Sequence, residues 1–383
     1  MNILHVIQYL NPKRGGEVAM CTSLAEQCLR RGHAITIATT DNGYDGPYFE
    51  SLEEMGVTIL PFRCRVNIKD FLISPQIGRW FDTAIRDFDV VHIHAFRSYQ
   101  CVVAHQYAKK CGVPYVLQAH GSVLPFFQKH LLKKAYDFVW GRSVLRDASG
   151  LIAVNEMEVR QYLEMGANPE QITIIPNALD IEEYQTLPAH GMFRERFGIP
   201  ENAKIILSLG RIHEIKGLDL LVEAFSDLAR EVEDCLLILA GPDQGYQRLL
   251  QQQVKKADLV DRVLFTGPLY GVYKLEAYVD ASVYVLPSIY EIFSLTTLEA
   301  CLCETPVIVT DRCGLSPFLR RNGGCVVPYD RAALAAVLQR EMNVTPERRD
   351  RTRRLKHEVE KHFSYNTVTD LFESLYARVC STP

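Results

Sequence analysis

No stretch of this sequence approaches the roughly 20 uncharged apolar residues that a membrane-spanning helix needs, so no integral membrane protein is expected. Paired cysteines are also missing. The 11 cysteines are odd in number and scattered, and the single C-x-C, Cys301 and Cys303, has no second pair to complete a zinc site. Free thiols in a reducing compartment are the simpler reading. The formal net charge is only −4, which provides no global field for nucleic acid. Met1 runs straight into the apolar stretch Ile3–Ile7 without the charged and apolar regions of a signal peptide, so none is expected and the compartment read is the cytoplasm. There is no internal repeat of about 20–50 residues and no low-complexity tract. The first strand-to-helix junction lacks G-x-G-x-x-G, which disfavours a nicotinamide dehydrogenase.

What is present is an ordinary globular balance, 48% hydrophobic and 23% charged, over 383 residues. Single cores stop growing near about 250–300 residues, so two domains are expected. Short β-branched runs alternate with helical patterns. The first half holds Ile3–Ile7, Ala34–Thr39, Val57–Pro61, Val90–His94, Pro114–Gln118, Leu151–Val154 and Ile172–Ile175. The second holds Ile205–Leu209, Leu236–Ala240, Val263–Thr266, Val283–Leu286, Val307–Thr310 and Cys325–Val327. Runs apolar on both faces, separated by helices, predict parallel sheets built from βαβ units. The fold class expected is α/β, with one doubly wound domain over 1–180 and a second over 181–362. In 363–383 a stripe of Val368, Leu371, Leu375 and Val379 at helical spacing predicts a helix that docks on another surface, the first domain being the candidate. Doubly wound sheets bind ligands at the carboxyl ends of their strands, so a site shared by facing domains is expected. That argues location and not chemistry.

The segment Pro287–Ala300 carries the strongest chemical signal. A strand ends at Pro287 and a helix is expected to begin near Ser294 or Leu295. Unpaired first-turn amides around Phe293–Thr296 suit a diphosphate. Glu291 before that helix and Glu299 inside it are placed to accept hydroxyls; acidic residues also favour helix starts for the dipole alone. Gly210–Gly217 follows the run Ile205–Leu209 and carries Arg211 and Lys216. A planar fork of donors and a mobile point charge both suit phosphate oxygens, and would stabilise charge developing on a leaving diphosphate. A solvated basic loop reads the same way. In Asn11–Glu17, Gly15 and Gly16 allow close approach of a ligand to the backbone, or shape a turn. His120 lands at the carboxyl end of Pro114–Gln118, where it either meets a sugar hydroxyl or is structural.

Asp87 and Asp89 have the D-x-D form of a metal holder but sit at the amino end of Val90–His94, where a turn role is expected. His92 and His94 share one strand face with no third ligand nearby in sequence, so no metal is assigned. Val123–Asp147 carries five Lys/Arg against two Asp with aromatic and aliphatic residues interleaved, and Arg63–Asp87 has a smaller basic excess. Such amphipathic surface engages anionic headgroups, giving peripheral contact at the inner face of a membrane through 63–87 and 123–147. An ordinary helix packed on the first sheet is the other reading, and both stay open.

Taken together, these motifs resemble the family 4 glycosyltransferases, retaining enzymes of the two-domain GT-B fold. The resemblance covers nearly the whole chain. It runs through Gly15–Gly16, Ala25–His33, D-V-V-H-I-H at Asp89–His94, A-H-G at Ala119–Gly121 and I-I-P-N-A-L-D at Ile174–Asp180. It continues with G-R-x4-K-G at Gly210–Gly217, F-T-G at Phe265–Gly267 and E-x7-E at Glu291–Glu299. It implies Rossmann-like domains facing each other across a cleft, with Arg211 and Lys216 on the donor diphosphate and Glu299 on the ribose. Glu291 would contact the donor sugar, the Phe293-Ser294-Leu295 amides phosphate and sugar, and Gly16 the diphosphate. His120 would lie near the reacting sugar and the loop after Gly267 near the base. The sequence departs from the pattern at Ile292 and Ser294, at Ala178 and over Asp311–Phe318, where the family often carries glycine. Bulkier side chains there narrow the sugar pocket.

The implied activity is metal-independent hexosyl or N-acetylhexosaminyl transfer from a nucleotide sugar, UDP first and GDP second, with retained configuration and no cofactor. The acceptor would be a hydroxyl of a glycan, a lipid-linked intermediate or a small molecule. No carboxylate stands out as a nucleophile for double displacement. Front-face attack assisted by the leaving diphosphate needs only clamping and electrostatics. Another sugar-nucleotide enzyme of this fold, an epimerase or phosphorylase, and a silent sugar-nucleotide-binding protein are the alternatives.

Overall fold

The structure is a computed structural model that describes residues 1–12, 15–68, 71–124 and 130–381. The chain divides into two compact units, Met1–Ala178 with Tyr365–Pro383, and Leu179–Ser364. Both are parallel α/β structures.

In the first unit a seven-stranded parallel sheet has the order β3-β2-β1-β6-β7-β8-β9. Its strands are β1 (Asn2–Val6), β2 (Ala34–Thr40), β3 (Thr58–Phe62), β6 (Val90–His94), β7 (Tyr115–Gln118), β8 (Gly150–Ala153) and β9 (Ile172–Ile174). Between β3 and β6 the chain makes a separate antiparallel hairpin, β4 (Val66–Ile68) with β5 (Phe71–Ile73). Alternate residues of β1 feed opposite faces, as the two-residue period of a strand dictates. Ile3 packs with Val18 and Leu24 of helix Gly16–Arg30 and with Phe372 and Tyr376 of helix Tyr365–Ser381. Leu4 and Val6 pack with Ile77, Phe81 and Ala104 on the other side.

In the second unit a six-stranded parallel sheet has the order β12-β11-β10-β13-β14-β15. Its strands are β10 (Lys204–Leu209), β11 (Cys235–Ala240), β12 (Val263–Gly267), β13 (Val283–Leu286), β14 (Val307–Thr310) and β15 (Cys325–Val327). Ile205 and Leu207 face one core and Ile206 the other. All seven and all six apolar runs read from the sequence are therefore strands of the two sheets.

In each sheet the chain winds outward one way and then restarts on the other side of its first strand, β1 beside β6 and β10 beside β13. These switch points open crevices outside the carboxyl ends of the strands. They place Gln8, Ala95 and His120 at one edge and Gly210, Arg211 and Pro287 at the other.

Two local readings are corrected. In helix Tyr365–Ser381, Leu371 is 39% exposed, and the buried stripe runs through Val368, Phe372, Leu375, Tyr376 and Val379. The aromatic side chains one position on from Leu371 take the inward face. Within Val123–Asp147, helices His130–Tyr136 and Arg142–Arg146 flank a π-helical turn, Asp137–Gly141. Lys69 and Lys129, counted in the basic segments, lie outside the described residues.

Candidate functional site

At the carboxyl edge of the second sheet, two loops are laced together. The Ile289 amide donates to the Ile215 carbonyl at 2.9 Å. Between them Gly217 has φ 62°, and a Cβ there would lie 2.1 Å from the Pro287 carbonyl oxygen. Only glycine fits that conformation at that approach. It holds Lys216 against the segment carrying Glu291, and their side chains form an ion pair at about one-sixth exposure. Gly210, before the clamp loop, adjoins Arg211, whose guanidinium donates to Gln244 Oε1 at 2.9 Å and is exposed to solvent.

Ser294 caps helix Leu295–Leu302 by accepting from the Thr297 amide at 3.1 Å, which fixes the helix start where the sequence placed it. The next amides, of Leu295 and Thr296, belong to the first turn, which a helix leaves without intrahelical acceptors. The side chains of Phe293 and Leu295 pack inward against the sheet core, and the Phe293 ring meets Phe363 edge-on at 5.8 Å. These two positions therefore offer backbone and not side chain. Glu299 is buried, with one carboxylate oxygen 2.9 Å from Lys274 Nζ and the other accepting from Tyr278 OH at 2.9 Å. Two partners on a carboxylate still leave lone pairs for further donors. Lys274 and Tyr278 escaped the sequence reading. They stand one helical turn apart on helix Val272–Asp280 and face the same way. Gly267 ends β12, and its carbonyl accepts from the Gly241 amide at 2.9 Å.

The first sheet's edge is different in chemistry. Its centre is a chain of histidines, buried at His5, His92 and His94 and partly exposed at His120. His5 Nδ1 lies 3.0 Å from His94 Nε2, and His94 Nδ1 lies 3.1 Å from His120 Nε2. His92 stacks on His94 at 4.0 Å and meets Tyr376 OH through Nδ1 at 2.7 Å. Burial alone lowers His5 and His120 to about 3, and burial followed by neighbouring histidines pushes His92 and His94 well below the ordinary value. All four rings are therefore neutral near pH 7. One nitrogen each of His5 and His94 lies within 4.8 Å of Cys21 Sγ, a grouping that sequence spacing did not reveal. The signal was there: His5, His92 and His94 occupy neighbouring strands, and the register pairs His5 with His92.

His120 has φ 50°, a left-handed conformation that costs a non-glycine residue energy and persists where surroundings over-determine it. Here they do. The Ala119 amide donates to Tyr162 OH at 3.2 Å and the Gly121 amide to Glu158 Oε1 at 2.7 Å. Burial raises Glu158 to about 7. Arg97 completes the clamp. It forms a bidentate pair with Asp137 at 2.7 and 2.8 Å and donates to the carbonyls of Ser122 and Val123, tying the loop after His120 to the π-helical turn. Beside Arg97 and Gln8 opens a cavity of about 620 Å³, room for a mid-sized ligand, walled by Ile68, Phe71, Leu132, Tyr136, Val139 and Trp140.

Gly15 has φ 98° and caps helix Gly16–Arg30 without a side chain, and among the described residues nothing lies within 4 Å of a Cβ built on Gly15 or Gly16. Asp87 and Asp89 stand at the amino end of β6, where the Asp89 carboxylate accepts from the Asn2 amide at 2.7 Å and the Asp87 carbonyl from the Asn2 side chain at 3.0 Å. The structure thus gathers Arg211, Lys216, Glu291, Ser294 and Glu299 on one sheet's edge and Gly15, Gly16 and His120 on the other's. All 11 thiols are free, and no helix among the described residues is long and apolar enough to cross a membrane.

Comparison with known proteins adds the following. Residues 14–183 match the family model described as Glycosyltransferase Family 4, and residues 192–357 match Glycosyl transferases group 1. A D-inositol 3-phosphate glycosyltransferase of Kineococcus radiotolerans is 29% identical over 253 residues, which make up 63% of this chain and 58% of that one. The match thus spans less than two thirds of that relative's length. An uncharacterised glycosyltransferase of Methanocaldococcus jannaschii is 24% identical over 383 residues, 94% of each chain. Among solved structures, Anabaena HepE in complex with UDP superposes with a TM-score of 0.81 at 20% identity, covering 99% of this chain and 100% of that one. The same protein is known with UDP-glucose, at a TM-score of 0.79. At such identity the likeness is one of fold, the GT-B architecture.

Proposed function

The chain belongs to the family 4, group 1 glycosyltransferases, and from that premise we propose that it moves a hexose or N-acetylhexosamine from a UDP-sugar to an acceptor hydroxyl, with retained configuration and without a metal. The observation that carries this reading is the Lys216–Glu291 ion pair held by Gly217 at the start of a capped helix. Glu291 shields the cation until a diphosphate arrives. Lys216, Arg211 and the first-turn amides of Leu295 and Thr296 then hold the phosphates, and Glu291 is released to a sugar hydroxyl. Glu299, paired with Lys274 and oriented by Tyr278, accepts from the ribose. Two cations and helix amides stabilise the leaving diphosphate, which takes the acceptor proton in a front-face attack. The complexes of HepE with UDP and UDP-glucose support uridine ahead of guanosine as the base.

The apolar cavity of the first unit supports an acceptor with an apolar portion, as in a lipid-linked intermediate. Leu131 and Phe138, 82% and 79% exposed next to Lys133 and Lys134, support peripheral membrane contact.

Thermal shift with UDP, GDP and their sugars tests the donor, because a ligand that binds the native state raises its apparent stability. UDP and one UDP-sugar should raise Tm, and a response to GDP alone would overturn the base. Nucleoside diphosphate release that needs an acceptor separates transfer from epimerisation. Transfer should survive EDTA; loss that Mn²⁺ or Mg²⁺ restores would sink the metal-independent reading.

A further inference from the structure

The histidine chain fixes more than the position of His120. Near pH 7 its rings are neutral, and a neutral imidazole carries one N–H and one bare nitrogen. His94 uses both nitrogens, toward His5 at 3.0 Å and His120 at 3.1 Å, so it must donate to one neighbour and accept from the other. Only two proton orders satisfy both bonds. In the inward order His120 donates to His94, His94 donates to His5, and His5 is left with a buried Nε2–H. In the outward order His5 donates to His94, His94 donates to His120 Nε2, and His120 carries its proton on Nδ1.

The inner end decides between them. His5 Nε2 is buried and has no hydrogen-bond partner among the described residues. The Cys21 sulfur lies within 4.8 Å of one nitrogen each of His5 and His94, and burial and then the Glu17 carboxylate keep its thiol protonated. A buried N–H left without an acceptor is the rarer orphan, so the bare nitrogen, and with it the outward order, fits this end. A metal ion held by His5, Cys21 and His94 would need a thiolate and a His94 nitrogen that already shares a proton, and the carboxylate beside the thiol opposes its ionisation.

We propose that His5 and His94 are positioning residues that lock His120 in its Nδ1–H tautomer, making it a hydrogen-bond donor to an oxygen of the reacting sugar. This rests on the sugar-transfer reading above. It assigns His120 a role distinct from general base, since its only nitrogen outside the chain bears a proton. The acceptor proton is then left to the diphosphate, as front-face attack requires.

The test reads the tautomer directly, by side-chain NMR of the full chain with ¹⁵N-labelled histidine at pH 7. His120 should show a protonated Nδ1 and a bare Nε2. His94→Leu should shift it toward Nε2–H and lower kcat/KM about tenfold, the loss of one aligned hydrogen bond. UDP affinity should be unchanged. His94→Asn keeps an N–H where His94 Nδ1 stood and should restore both tautomer and rate. A wild-type His120 with Nε2–H overturns the proposal without any variant. So does a His94→Leu protein whose His120 tautomer or kcat/KM is unchanged, or stoichiometric metal in the purified protein that Cys21→Ser removes. Failure of the sugar-transfer reading would look different: no transfer by wild type, with the tautomer result intact.

Discussion

The two sheets share a winding scheme and differ in what stands at their carboxyl ends. The second edge is charged and paired: Lys216 with Glu291, and Lys274 with Glu299. At the first edge four uncharged histidines, three of them buried, stand beside an apolar cavity, and the ion pair there is Arg97 with Asp137. Buried charges persist only when paired, so the second edge can exchange one partner for another when an anion enters. The histidines of the first edge have no charge to exchange. That edge offers direction, through a fixed N–H and a strained loop, and apolar volume.

The sharpest way to break this contrast is Lys216→Ala. It removes the cation from the diphosphate and strands Glu291. We expect kcat/KM to fall on the order of 10²–10³-fold with the circular dichroism spectrum unchanged. Near-wild-type kinetics would show that the charged edge is structural.

The two glutamates come next. Glu299→Gln should weaken UDP about ten- to a hundredfold, because it loses a hydrogen bond to the ribose and the ion pair with Lys274. Glu291→Gln should leave UDP affinity nearly intact, and even strengthen it slightly by releasing Lys216, while losing discrimination among sugars. Calorimetry with UDP and with the intact donor decides it. Equal weakening by both variants would mean that the roles are wrongly divided.

How legible all this was depends on the range over which each feature is encoded. The sheet strands are apolar runs bounded by turns, so β1 or β10 declares itself locally, and the helix start at Ser294 follows from a capping residue before an apolar stretch. Hairpin β4–β5 did not show, because its strands are three residues long and Val66 and Ile68 face solvent. The π-helical turn did not show either. It begins at Asp137, whose partner Arg97 lies forty positions away. The partners of Glu299 and the His5–His94–His120 chain likewise depend on tertiary register. Parallel sheets bring together the ends of strands distant in sequence, and periodicity within one strand carries no information about its neighbour.

The smallest effect expected is one of stability, and it tests the neutral edge without using activity. His5 has a folded pKa of about 3 against an ordinary value of 6.5, because burial opposes its charge. Between those limits the unfolded chain binds a proton that the folded chain refuses, so stability falls as pH falls from 6.5 toward 3. His120 acts with the same sign, and so do His92 and His94. Glu17 and Glu158 act against them. Burial raises each to about 7 from 4.5, so the folded chain holds protons that the unfolded chain has lost, and this stabilises on acidification from pH 7 toward 4.5. Four histidines outweigh two carboxyls, and acid should destabilise the protein on balance. His5→Phe deletes one of the four. One pH unit of such a difference corresponds to about 1.4 kcal/mol, so between pH 6.5 and 5 the variant should lose about 2 kcal/mol less than wild type. For a unit of this size that is roughly 4–8 °C in Tm. The comparison is between slopes, so a uniform loss of stability in His5→Phe does not disturb it. Equal acid-induced drops in Tm for both proteins would mean that His5 is charged or solvated in the fold, and the neutral histidine chain would fall with it.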